Sequence, residues 1–136
     1  ITSVISQLGE ITVVTPNLNE SGKHGYGLIG PDKIPVVVLP GDPIGNYLSA
    51  EIFIRPMILK MLAKSEVSRP TKKLKLSKSV ESNSGKATYV RAKLTTSGEV
   101  DPLAEQASLV TLANADCLIE LSEKNQKLKR KLLLKE

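Results

Sequence analysis

The chain has 136 residues, ordinary soluble composition and one cysteine, Cys117, so no internal disulfide can form and a reducing, cytoplasmic setting is expected. No apolar run is long enough to span a bilayer and no secretory signal is seen, so no membrane span is indicated; aromatics at 3% with no Trp argue against base stacking. The net charge of +5 is uneven: residues 1–63 carry four Lys/Arg against five Asp/Glu, residues 64–136 fifteen against nine. Basic charge of this kind predicts no specific nucleic-acid partner, only salt-sensitive attraction. The shift coincides with Ser65, Ser68 and Pro70, so two units are expected, residues 1–66 and 67–136. The first residue is Ile1, not Met, which points to a chain that begins inside a longer one.

Ile1, Val4, Ile5 and Leu8 line one face of a helix, and Gly9 stands where a helix-ending glycine belongs. Ile11 to Thr15 is a β-branched strand stopped by Pro16. Asn17 to His24 is polar and turn-rich. Tyr26 to Ile29 suits a short strand, and Pro31-Asp32 turns the chain back towards Val36. Pro35 to Leu39 reads as a buried strand, ended by Pro40-Gly41. Asp42 is placed to cap the next helix, and Pro43 suits its first position. That helix runs to about Ala63, kinked or interrupted at Pro56, which lacks an N–H.

After residue 70 the rhythm alternates. Leu74 and Leu76 alternate with lysines; Asn83-Ser84-Gly85 is a turn; Ala87 to Leu94 is a strand with Arg91 and Lys93 on its polar face. Val100 opens a short segment, Ala107 to Ala113 suits one or two helical turns, and Cys117 to Leu121 is an apolar strand. Leu128 to Leu134 is a last strand, or Lys127 to Lys131 a basic tail. The fold class is therefore α/β in front and a small, mostly-β, barrel-like unit behind.

Few residues here carry chemistry on pattern alone. Gly25-Tyr26-Gly27-Leu28-Ile29-Gly30 matches G-x-G-x-x-G, but Pro31-Asp32 follows where a helix must begin, so a dinucleotide site is rejected. His24 and Cys117 lack partners at metal-ligand spacing and read as a surface histidine and a buried cysteine, so no metal site is expected. Lys23 lies in a glycine-flanked loop after a strand, where its ammonium can reach an anion. Ser108 is placed to cap the short helix that follows, and Asp116 closes that helix or faces solvent. If strands 11–15 and 35–39 are parallel, Lys23 and the Gly41-Asp42 loop leave one sheet edge and face a shared cleft, with Asp42 more a helix cap than a metal-side carboxylate. No catalytic residue is assigned.

Several stretches resemble one family. Leu39-Pro40-Gly41-Asp42-Pro43 is similar to the LPGNP loop of the molybdopterin molybdotransferases, the MoeA and gephyrin E-domain family, and Phe53-Ile54-Arg55-Pro56 to the F-x-R-P that follows it. Gly22-Lys23 matches part of the family's M-x-P-G-K-P motif, from which Asn19, Ser21 and His24 depart; Glu20 stands where the family often has a basic residue. Gly45 and Asn46 replace its usual small pair. Lys86 to Leu94 resembles the G-R-x-x-F-x-R-V-x-L strand of its C-terminal domain. Ser108 to Ile119 resembles its S-x-x-L-x-x-L-A-x-A-D-G-L-I segment, with Cys117 for glycine.

The resemblance implies the end of a molybdopterin-binding α/β domain followed by the C-terminal β-domain. It implies a transferase of molybdenum cofactor biosynthesis, acting on adenylylated molybdopterin and molybdate and releasing AMP. It further implies a homodimeric parent assisted by Mg2+, whose metal-binding residues lie outside this chain. The positions able to bind substrate are Lys23, Gly41, Asp42 and Ser108; this chain alone is expected to be inactive. The alternative is a non-catalytic ligand-binding or assembly module with a decayed site, suggested by Glu20, Ser21 and His24.

Overall fold

The computed structural model describes residues 1–19, 22–80, 85–104 and 108–121, and the backbone of 130–133. Helix α1 (Thr2–Leu8) leads into strand β1 (Gly9–Val14), which pairs with β2 (His24–Ile29), which pairs with β3 (Ile34–Val38). Both pairings are antiparallel, so the three strands form a meander in the order β1-β2-β3. This corrects the parallel α/β sheet expected from the sequence. β1 and β3 do run in one direction, but β2 lies between them, because the short Gly30 to Lys33 turn allows only a hairpin.

Glycines set the closeness of this sheet. A Cβ at Gly27 would stand 1.9 Å from the Glu10 carbonyl oxygen, and one at Gly9 2.1 Å from that of Leu28. Gly9 therefore serves the β1–β2 approach; its backbone is extended, with φ 172, and it is not a left-handed helix cap. Gly30, with φ 69, makes the turn into β3. The glycine pattern of residues 25–30 thus belongs to a middle strand and its turn.

The chain then enters α2 (Pro43–Ser49), a π-helical segment (Ala50–Ile54) and α3 (Arg55–Met61). The interruption expected at Pro56 takes the form of this π segment: the Arg55 amide reaches back to the Ala50 carbonyl, and the widened turn stands just before the residue that cannot donate. The following linker is tied back to this helix. Arg69 grips Glu51 through two bonds of 3.0 Å, and Arg55 Nη1 donates to the Val67 carbonyl at 3.1 Å.

A second, wholly antiparallel sheet follows: β4 (Thr71–Lys72), β5 (Thr88–Leu94), β6 (Val100–Pro102), β7 (Cys117–Leu121) and β8 (Arg130–Leu133), in the order β4-β8-β7-β5-β6. The described residues form an open sheet, not a closed barrel. A single bridge from Leu76 to Val100 brings the segment after β4 against the opposite edge strand. That bridge and β4 replace the strand expected at Leu74 and Leu76, whose side chains pack on the core. The expected turn at Asn83-Ser84 and the tail from Lys127 to Lys129 lie outside the described residues. Helix α4 (Leu109–Asn114) connects β6 to β7.

Both faces of this sheet are covered. On one, Val90, Ala92, Val100, Cys117, Ile119 and Leu121 form a core closed by Leu74, Leu76 and Val80. On the other, Leu118 and Ala115 meet Ile44 and Leu48 of α2, flanked by Tyr89. Covering on both sides explains the unbroken apolar run from Cys117 to Ile119 in β7. It also overturns the polar face expected for β5: Arg91 points to the α2 side and is 0% exposed, while Leu94, nearer the strand end, is exposed.

Candidate functional site

The β1–β2 loop and the β3–α2 loop leave the same sheet edge, since β1 and β3 share a direction. They touch: a Cβ at Gly22 would stand 3.2 Å from Pro40 Cβ. The first half of the β1–β2 loop is held by the second sheet. Leu18 bridges Ala87; the Asn19 amide donates to the Ala87 carbonyl at 2.7 Å, and Asn17 Nδ2 to that of Gly85 at 2.8 Å.

Lys23 follows, exposed, one residue before β2 begins. Among the described residues its ammonium makes no hydrogen bond or ion pair, so it stands as a solvated cation at the mouth of the two loops. Gly41 is exposed too, and a Cβ added there would meet nothing within 4 Å. Packing therefore does not demand glycine at this position; the open side is turned to solvent.

Asp42 caps α2, its Oδ2 accepting from the Gly45 amide at 2.6 Å. The carboxylate thereby satisfies a helix N–H that an anion would otherwise seek. Ser108 caps α4, its Oγ accepting from the Val110 amide at 3.1 Å, and its described hydrogen bonds stay within that helix. The structure thus brings together the loops of Lys23, Gly41 and Asp42. Ser108 is linked to them only indirectly, through the packing of α4 beside α2. Asp116 turns back to accept from the Leu94 amide at 3.0 Å, which fixes it to β5.

His24, like Arg91, lies where the sequence did not place it. It is 6% exposed, not a surface side chain. Its Nδ1 lies 3.0 Å from the Gly22 carbonyl and its Nε2 2.6 Å from Ser49 Oγ, and its ring meets the Phe53 ring edge-on at 5.5 Å. The second partner lies 25 residues away, so no local spacing could have revealed it. An apolar cavity of about 260 Å³, lined by His24, Val14, Tyr26, Val37, Phe53 and Met57 among others, lies between the meander and the π segment. A second of about 400 Å³ lies beside β5, lined by Asn19, Lys78, Thr88 and Leu103 among others. Lys23, Gly41, Asp42 and Ser108 line neither; the first three are exposed and Ser108 is half-buried.

Electrostatics at the α2–β5 junction are set by burial. Desolvation, reinforced by Glu120, pushes the Tyr89 hydroxyl up to about 12. Tyr47 is raised as well, first by burial and then by Glu51. Among the described residues no three His, Cys, Asp or Glu converge as metal ligands, and the Asp42 carboxylate is engaged by its helix. These residues do not fit a magnesium site, and no chemistry is assigned to one here.

Comparison with known proteins bears on this geometry. Residues 73–130 match the family described as the MoeA C-terminal region, domain IV. Over 127 residues the chain is 32% identical to molybdopterin molybdenumtransferase 1 of Mycobacterium tuberculosis, covering 86% of this chain and 30% of that protein. The chain corresponds to the C-terminal portion of the MoeA family.

Molybdopterin molybdenumtransferase 2 of the same organism is 35% identical over 92 residues, covering 65% of this chain and 23% of the relative. In fold, this MoeA segment is similar to a molybdopterin biosynthesis MoeA protein from Pyrococcus horikosii, with TM-score 0.76 at 22% identity, covering 99% of this chain and 34% of that one. A molybdenum cofactor biosynthesis protein from Pyrococcus furiosus gives 0.72 at 14% identity, over 91% of this chain and 46% of the other. The segment spans less than half the length of each. No helix among the described residues is long and apolar enough to cross a membrane.

Proposed function

We propose that this segment supplies one wall of the substrate site of a molybdopterin molybdotransferase. The parent transferase inserts molybdate into adenylylated molybdopterin and releases AMP. The observation that supports this reading most is the 32% identity across 127 residues to a molybdopterin molybdenumtransferase, which covers 86% of this chain. Residues 1–66 are taken as the end of the molybdopterin-binding unit and 67–136 as the C-terminal β-domain. Lys23 supplies a cation for the substrate's phosphates, and the open backbone at Gly41 lets the ligand approach. Asp42 shapes the loop as a cap. Ser108 holds the start of α4 beside α2.

Phosphates need fixed positive charge and donors, and an exposed lysine on a loop anchored at both ends provides the first. Magnesium ligands, the homodimer contact and the remaining walls belong to parts of a parent outside these residues, in a cytoplasmic protein. The segment alone is then a binding wall without a complete active site. Purified, with adenylylated molybdopterin, molybdate and magnesium, it should release no AMP, while a chain extended to the length of its relatives should. AMP release by the 136-residue chain above a protein-free control would show that the site is complete without the missing parts. Failure of the extended chain under the same conditions would favour the non-catalytic binding module.

A further inference from the structure

His24 connects the two loops of the site through the protein interior. The connection runs from the Gly22 carbonyl to Nδ1 at 3.0 Å, and from Nε2 to Ser49 Oγ at 2.6 Å. Ser49 Oγ continues to the Gly45 carbonyl at 2.6 Å, and the Gly45 amide donates to Asp42 at 2.6 Å. Every link joins neighbouring groups without an intervening solvent step, and both His24 and Ser49 are buried. One end is the residue before Lys23; the other is the residue after Gly41.

We propose that His24 is a positioning residue, which sets where the Lys23 ammonium stands relative to the Gly41-Asp42 loop by docking the end of the β1–β2 loop onto α2. The proposal rests on the reading of those loops as one substrate wall. The anchoring is two-sided. Residues 17–19 are fixed by Ala87 and Gly85, in the segment that leads into β5, and Gly22 is fixed by His24 and by contact with Pro40. Without the second anchor, Gly22 and Lys23 would be held only through the start of β2, and the root of the four-carbon stem that carries the ammonium would be less fixed. Holding a charged group in place before the ligand arrives is what preorganisation requires.

The chemistry of the partners also fixes the form of the ring. A carbonyl oxygen only accepts, so the contact with Gly22 needs a proton on Nδ1. In the neutral ring Nε2 is then an acceptor, and the single Ser49 hydroxyl proton is shared between it and the Gly45 carbonyl, both 2.6 Å away; in a ring protonated on both nitrogens Nε2 donates to Ser49 Oγ and the hydroxyl proton goes to Gly45. The Phe53 ring edge-on to the imidazole closes its remaining side.

The test is nuclear magnetic resonance of the 136-residue chain with ¹⁵N-labelled histidine; His24 is its only histidine, so the ring signals are unambiguous. The expected spectrum shows Nδ1 protonated. A ring protonated at Nε2 alone would overturn the proposal, and this arm needs no variant. In Ser49→Ala the Gly22 and Lys23 amide signals should move while those of β5 and β7 stay. Unmoved Gly22 and Lys23 signals would overturn the link. No nucleotide is added, so the outcome judges the positioning role separately from the reading of the site as a substrate wall.

Discussion

The Asp42 carboxylate and the Ser108 hydroxyl each accept from an amide at the start of the helix they precede. Such caps depend on two or three neighbouring residues, and both were legible in the sequence for that reason. Asp42→Ala should cost about 1 kcal/mol of stability, and Asp42→Asn should recover most of it, measured by denaturant unfolding. His24 was illegible because its burial depends on Ser49, a partner from another element. Tyr89 is likewise defined by what covers it. With its folded pKa raised to about 12 against an ordinary 10.0, the hydroxyl stays protonated in the folded chain after the unfolded chain has lost its proton. Tyr89's stabilisation is therefore full below pH 10 and is lost as pH rises towards 12. Spectrophotometric titration should find one tyrosine ionising well after the others. A Tyr89→Phe variant that still shows it would assign the effect elsewhere.

At the scale of elements, period and punctuation located most strands and helices, because alternation and proline or glycine stops are properties of short stretches. Strand direction was not legible. The antiparallel meander follows from the tightness of the turn at Gly30 and from close approach at Gly9 and Gly27, which depend on which strand lies opposite. Nor could alternation show that β5 is covered on both faces, so Arg91 was expected in water and is fully buried. The glycines give a direct contrast. Gly27→Ala places a Cβ against the Glu10 carbonyl and should destabilise the chain strongly, by opening the β1–β2 ladder; Gly41→Ala meets open space and should change stability by less than about 0.5 kcal/mol. Thermal unfolding of the two variants side by side checks both expectations. Equal effects would contradict the account of the sheet.

For the molecule as a whole, α2 is the shared element: its N-terminal cap faces the site and its apolar face covers the second sheet. Leu118 sits at that junction with 1% exposure. Leu118→Ala should cost roughly 2–5 kcal/mol, since the cavity it leaves lies between the second sheet and α2, which cannot fully close over it. The basic surface of residues 64–136 carries lysines already paired, Lys75 with Glu99 and Lys78 with Asp101. Binding to duplex DNA should therefore be weak and sequence-blind, and should fade as salt is raised. The central claim is that Lys23, held beside the Gly41-Asp42 loop, meets the phosphates of an adenylylated molybdopterin. Its most direct measurement is the affinity of the extended, full-length chain for that nucleotide, before and after Lys23→Ala. Lys23→Ala should lower that affinity roughly 10- to 100-fold, the worth of a charged hydrogen bond, with unfolding unchanged. An affinity equal to that of the unmodified chain would contradict it.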